Sequence, residues 1–139
     1  GSWTLPTTTG IASVVASIPN VTGVTFTANM VAAAATKLVV STSNAPSTGA
    51  GGNTLYTVVF RLQDAFNNNV LQSGVSVTLN AQVSSGGAAQ IHSSNPATTD
   101  ANGSITVNWV TGNGAGSTQT LTASSSGLTS AVVTTVIAP

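Results

Sequence analysis

Five side chains have the charge or basicity for acid, base or strong electrostatic chemistry: Lys37, Arg61, Asp64, His92 and Asp100. General acid and base catalysis asks for paired groups with pKa values pushed apart, which here leaves the two aspartates and the histidine. A Ser-His-Asp combination can be assembled from the composition, but no Gly-x-Ser-x-Gly elbow exists to expose a nucleophile. Both aspartates sit in turn contexts. Asp64 precedes Ala65 to Asn69, and Asp100 opens Asp100-Ala101-Asn102-Gly103, where a short carboxylate can accept backbone N–H groups. One carboxylate is too few for a tight calcium loop. Gly112-Asn113-Gly114-Ala115-Gly116-Ser117-Thr118 has the look of a phosphate cradle but lacks the lysine of a P-loop, and it reads as a flexible loop between strands. No catalytic residue, cofactor or metal ligand is assigned, and Asp64, Asn67, Asp100 and Gly103 read as turn residues.

The elements around these turns are strands. Leu55 to Leu79 organises the chain: Tyr56, Val58, Phe60 and Leu62 share one parity, and Val75, Val77 and Leu79 share another, so each strand offers one apolar face that a second sheet must cover. Asp64 falls on the inward parity where the first strand ends. Ahead of this pair, Ser13 to Ile18 and Val21 to Ala28 read as a hairpin around Pro19-Asn20, Asn29 to Thr36 as a connector or strand edge, and Lys37 to Thr42 as a short strand. Ser43 to Asn53 reads as loop only. After it come a glycine turn at Ser84 to Ala88, a short strand at Ala89 to His92, and a strand at Ser104 to Val110 with Ile105, Val107 and Trp109 on one face. Ser117 to Ser124, with Leu121 inward, and Ser130 to Ile137 close the chain. About seven strands at regular spacing predict an all-β, antiparallel two-sheet sandwich preceded by an extra β-hairpin.

Composition narrows the function. The 139 residues are 41% apolar, enough for a core, but only 3% charged, with no glutamate and no net charge. Nucleic-acid binding draws on clustered Lys and Arg, which are absent. No apolar run is long enough for a transmembrane helix. There is no cysteine, hence no disulfide or thiolate metal site. With so little charge to repel neighbours or blunt strand edges, self-association through edge strands is an expected partnership. Gly1-Ser2 is the dipeptide a cloning scar leaves.

An internal repeat joins the two ends. Trp3 to Ala28 aligns with Trp109 to Thr135, pairing Trp3 with Trp109, Gly10 with Gly116, Ala16 with Ala123 and Phe26 with Val133. The same closing half occurs twice, which divides the chain into residues 1–36, the last strands of one repeat plus a connector, and residues 37–139, a whole repeat.

The strand running into an Asp-Ala turn (Phe60 to Asn67), the Val-x-Val strand (Gly74 to Leu79), Thr-Thr-Asp-Ala-Asn-Gly (Thr98 to Gly103) and the block from Gly116 to Ala123 together resemble the bacterial Ig-like domains of group 1, the invasin and intimin type. Where such domains usually carry Gly-Asn-Pro after the Asp-Ala turn, this chain has Asn67-Asn68-Asn69-Val70, and Asn also supplies a left-handed turn. The resemblance implies an extracellular or cell-surface module, repeated in tandem in a large surface protein or adhesin, with neighbouring Ig-like repeats as partners and no catalytic residues.

Other readings stand beside it. Trp3, in a unit whose first half is missing, is a candidate exposed aromatic that would stack on a glycan or host-surface ligand, the carbohydrate-binding reading. The orphan hairpin suits β-augmentation into a neighbour, the self-assembly reading. Lys37 near Asn and Asp is a candidate for an intramolecular isopeptide bond, although a solvated amine is the simpler expectation. Thr-x-Thr pairs suit exposed strand faces as well as an ice-binding face. Asn20-Val21-Thr22 and Asn102-Gly103-Ser104 match glycosylation sequons, which a chain so rich in Asn, Ser and Thr produces by chance.

Overall fold

Alternation in Leu55–Gln63 decides the core. In a computed structural model covering Gly1 to Pro139, Tyr56, Val58, Phe60 and Leu62 are buried while the residues between them are not. The chain forms eleven strands and no helix: β1 (Gly10–Ala16), β2 (Val24–Met30), β3 (Lys37–Ser43), β4 (Thr48–Ala50), β5 (Leu55–Gln63), β6 (Ser76–Val83), β7 (Gln90–Ile91), β8 (Ala97–Thr98), β9 (Ser104–Val110), β10 (Thr118–Ser124) and β11 (Ala131–Ile137). Two sheets, β3-β5-β9-β7 and β4-β11-β10-β6-β8, make the sandwich, and β1-β2 stands apart as a two-stranded sheet. The two strands of the organising stretch, β5 and β6, therefore lie in opposite sheets, each covering the other's apolar face.

Val58, Phe60 and Leu62 from β5, Val77 and Leu79 from β6, Ile105, Val107 and Trp109 from β9 and Leu121 from β10 form one buried cluster. Tyr56 belongs to a smaller one with Ala50 and Ile137, its hydroxyl accepting the Gly51 N–H at 2.9 Å. Val75 departs from the core set: it precedes the first paired residue of β6 and is only half-buried against the cluster. Ser43 to Asn53 is not all loop. Thr48–Ala50 pairs in parallel with β11, so the sandwich has nine strands and is not wholly antiparallel. Thr48–Ala50 and Ala97–Thr98 are too short to show periodicity, and backbone bonds to their neighbours create them.

The hairpins at the two ends match rung for rung. In β1-β2, Ala16 faces Val24 and Val14 faces Phe26; in β10-β11, Ala123 faces Ala131 and Leu121 faces Val133, each 107 positions on. Their turns match too. Val21 N–H donates to Ile18 O at 3.3 Å as Leu128 N–H does to Ser125 O at 3.2 Å. The left-handed residue is Asn20 in the first turn and Gly127 in the second.

Candidate functional site: the junction between hairpin and sandwich

The titratable residues do not converge. The single histidine and the two aspartates do not gather as a metal site would require. His92 is exposed and its Nε2 meets Gln90 Oε1 at 3.0 Å, while Arg61 Nε donates to Ser104 Oγ at 3.1 Å. Asp100 closes its own turn, its Oδ1 accepting the N–H groups of Asn102 at 2.9 Å and Ser104 at 3.0 Å. Gly103 completes that turn at φ 69°, and a Cβ there would lie 1.9 Å from the Val70 carbonyl oxygen, so the position admits no side chain.

Asp64 does something different. It is fully buried at the end of β5, and its four hydrogen bonds divide between two parts of the molecule. Oδ1 accepts Phe66 N–H and Asn68 N–H, both at 2.9 Å, which closes the turn. Oδ2 accepts Asn68 Nδ2 at 2.9 Å and Ala33 N–H at 3.0 Å, and Ala33 lies in the segment that leaves the hairpin. Asn68 completes the connection: its Nδ2 also donates to Thr7 O at 2.8 Å, and its Oδ1 accepts Thr9 N–H at 3.1 Å. Both strands of the hairpin are thus tied to one turn of the sandwich, just before β1 and just after β2. Burial pushes the Asp64 carboxyl pKa up, but the hydrogen bonds from Asn68, Ala33 and Phe66 outweigh it and hold the group at about 2, below the usual 3.8. Ionised, with its lone pairs committed, it is neither a general acid nor a spare metal ligand.

The same geometry settles Lys37. Its Nζ donates to Asn67 Oδ1 at the surface, so amine and amide do meet. Isopeptide formation expels ammonia from the amide when a neutral amine attacks it, which requires a dry site and a protonated carboxyl to polarise the carbonyl. The contact is exposed and hydrogen bonds hold Asp64 ionised, so neither condition is met there.

Two further features lay beyond sequence reasoning. Asn68, not Asn67, bridges to the hairpin; its signal was the run Asn67-Asn68-Asn69 placed after an inward Asp. The glycine loops at Ser84 to Ala88 and Gly112 to Gly116 pack against each other: Gly87 N–H donates to Asn113 Oδ1 at 2.8 Å, and a Cβ on Gly114 would meet the Ser85 carbonyl oxygen at 2.3 Å. The phosphate-cradle look-alike is a backbone contact. Trp109 is fully buried with its Nε1 unpartnered, whereas Trp3 is 40% exposed. At the junction an apolar cleft of about 420 Å³ opens between Met30, Val31 and Ala32 on one side and Val70 and Leu71 on the other.

No family model and no curated protein matches the sequence. Solved structures do. The adhesin InvE of Yersinia pseudotuberculosis superposes with a TM-score of 0.58 at 22% identity, over 93% of this chain and 40% of that one. The D00-D0 domains of intimin match at 0.54 and 20% identity, over 93% of this chain and 65% of theirs. The fold is one that bacterial adhesins use. It is not theirs alone, since a glycosyl hydrolase family 2 member from Bacteroides cellulosilyticus matches at 0.61 and 20% identity, over 95% of this chain and 19% of that one. The sequence resemblance to invasin- and intimin-type Ig-like domains thus has its counterpart in the fold. In each case the chain spans under two thirds of the structure it matches.

Proposed function

We propose that this chain is a non-catalytic structural module of a bacterial surface protein: an Ig-like sandwich, residues 37–139, carrying the closing hairpin of a preceding repeat, residues 1–36. What carries the reading is the rung-for-rung match of β1-β2 to β10-β11, including the turn bond and the left-handed turn residue. Loop length and turn type fix hairpin register, so the shared loop length, turn bond and left-handed turn residue give the two hairpins the same register. The adhesin matches support it, because they extend over hairpin and sandwich together inside longer chains. In this role the module works mechanically. The buried sheets resist extension, and the Asp64–Asn68 turn transmits orientation from one repeat to the next. The expected setting is the cell surface or the extracellular space, with neighbouring repeats as partners.

A carbohydrate-binding role is the second reading, favoured by the 40% exposure of Trp3 and by the glycosidase matches. A glycan array probed with the full chain separates the two. A spacer gives no saturable hit; a hit that Trp3→Ala abolishes replaces the spacer with a sugar-binding module.

A further inference from the structure

The hairpin has one wholly apolar face. Val14 and Phe26 lie opposite each other on it, as do Ala16 and Val24, because antiparallel register puts facing residues on the same side. In the sandwich the residues 107 positions on, Leu121, Val133, Ala123 and Ala131, are all buried in the core against β5 and β9. In the hairpin Val14, Val24 and Phe26 are 39%, 58% and 54% exposed. The edges differ in the same way. β10 gives its outer edge to β6, with Leu121 opposite Ala81, while the outer edge of β1 pairs with nothing. No charged side chain occurs before Lys37 to protect that edge.

We propose that this face and the free edge of β1 are a docking surface for the other strands of an Ig-like unit: a sheet of the β3-β5-β9 kind laid over Val14 and Phe26, and an antiparallel strand of the β6 kind alongside β1. The inference deepens the tandem reading and rests on it. A second copy of this chain is a poor occupant, because its own β10-β11 already fills the equivalent place. Trp3 decides further. It precedes Gly10 by the interval that separates Trp109 from Gly116, one residue short of the interval from Trp109 to Ser117, the rung equivalent of Gly10, and Trp109 lies in β9, in the sheet opposite β10. On the tandem reading Trp3 stands where a β9-type strand ends, although in this chain it lies in no strand. A face-to-face pair of hairpins gives Trp3 no place, whereas the missing sheet gives it the buried site that Trp109 occupies.

The test adds residues Lys37 to Asn108 a second time, directly ahead of Trp3, so that the copied β9 runs into Trp3. The expected result is a blue shift of Trp3 emission, at least a 100-fold slowing of amide exchange in β1, and a second cooperative unfolding unit. Val14→Asp in the extended chain should abolish all three and leave the original unit intact. Because the copied sheet evolved against different side chains, a second version carries Ala12→Gln and Phe26→Val, the residues found at 119 and 133. If Trp3 stays solvent-exposed and β1 exchanges at its original rate in both versions, the docking surface is refuted. Light scattering on the unextended chain separates the causes. A monomer in that case leaves the tandem reading standing without this occupant, whereas a dimer that protects β1 and that Val14→Asp dissolves makes a second copy the occupant and overturns both.

Discussion

Leu121 and Val14 occupy equivalent rungs of equivalent hairpins, yet truncating them should have very different consequences. Leu121 is fully buried between the sheets. Leu121→Ala removes three carbons, worth roughly 0.8 kcal/mol each by transfer, and leaves a cavity between two packed sheets, for a total of about 3 kcal/mol. In a sandwich of this size that lowers Tm by roughly 12–24 °C. Val14→Ala removes two carbons from a side chain that is 39% exposed, a loss of roughly 1 kcal/mol confined to a two-stranded sheet with no second layer. Differential scanning calorimetry of the wild type and both variants checks this. The main transition should move only for Leu121→Ala. Equal shifts would mean that hairpin and sandwich unfold as one unit, with the face carrying Val14 covered, and would refute the division into a complete and an incomplete unit.

The Asp64 carboxylate should make stability fall in acid. Its folded pKa of about 2 lies below the ordinary 3.8, so its contribution is fully present above about pH 4 and is lost as pH drops through about 2. Asp64→Asn should flatten the Tm profile across that window, and an unchanged profile would remove Asp64 from the turn's stability. Asn68→Ala takes away the bonds to Thr7 and Thr9 while Oδ1 of Asp64 still closes the turn, so amide exchange at Thr9 should accelerate at least tenfold with Leu121 unaffected. Gly103→Ala forces a Cβ into the Val70 carbonyl at positive φ and should cost at least about 2 kcal/mol in denaturant titration; a neutral result would mean that this turn relaxes freely.

What was legible in the sequence followed from periodicity and from turn chemistry. The long strands β5, β9 and β10 announce themselves because one parity is apolar over several residues, and the turns at Asn20, Asn67 and Gly103 because left-handed positions favour Asn and Gly. What stayed hidden depends on contacts between distant segments. Thr48–Ala50 becomes a strand only because β11 lies beside it. Gln119 and Thr135 face the core on apolar parities, and their polarity makes sense only when Gly112 N–H is seen donating to Gln119 Oε1 at 3.0 Å and Thr135 Oγ1 to Pro46 O. Asp64 was readable as a turn former, but its reach to Ala33 spans 31 residues, and no local pattern encodes that distance. Val75 packs against the core but stays half-buried at the margin where β6 begins, a boundary that alternation alone does not mark.

The division of the chain is tested most directly by hydrogen exchange on the intact 139-residue chain, resolved by residue. Amides of Leu55–Gln63, Ser104–Val110, Thr118–Ser124 and Ala131–Ile137 should exchange only through global unfolding of the sandwich, while those of Gly10–Ala16 and Val24–Met30 should exchange orders of magnitude faster through local opening. Hairpin amides protected to the same level as the sandwich would contradict it, because residues 1–36 would then belong to the same folded unit as residues 37–139.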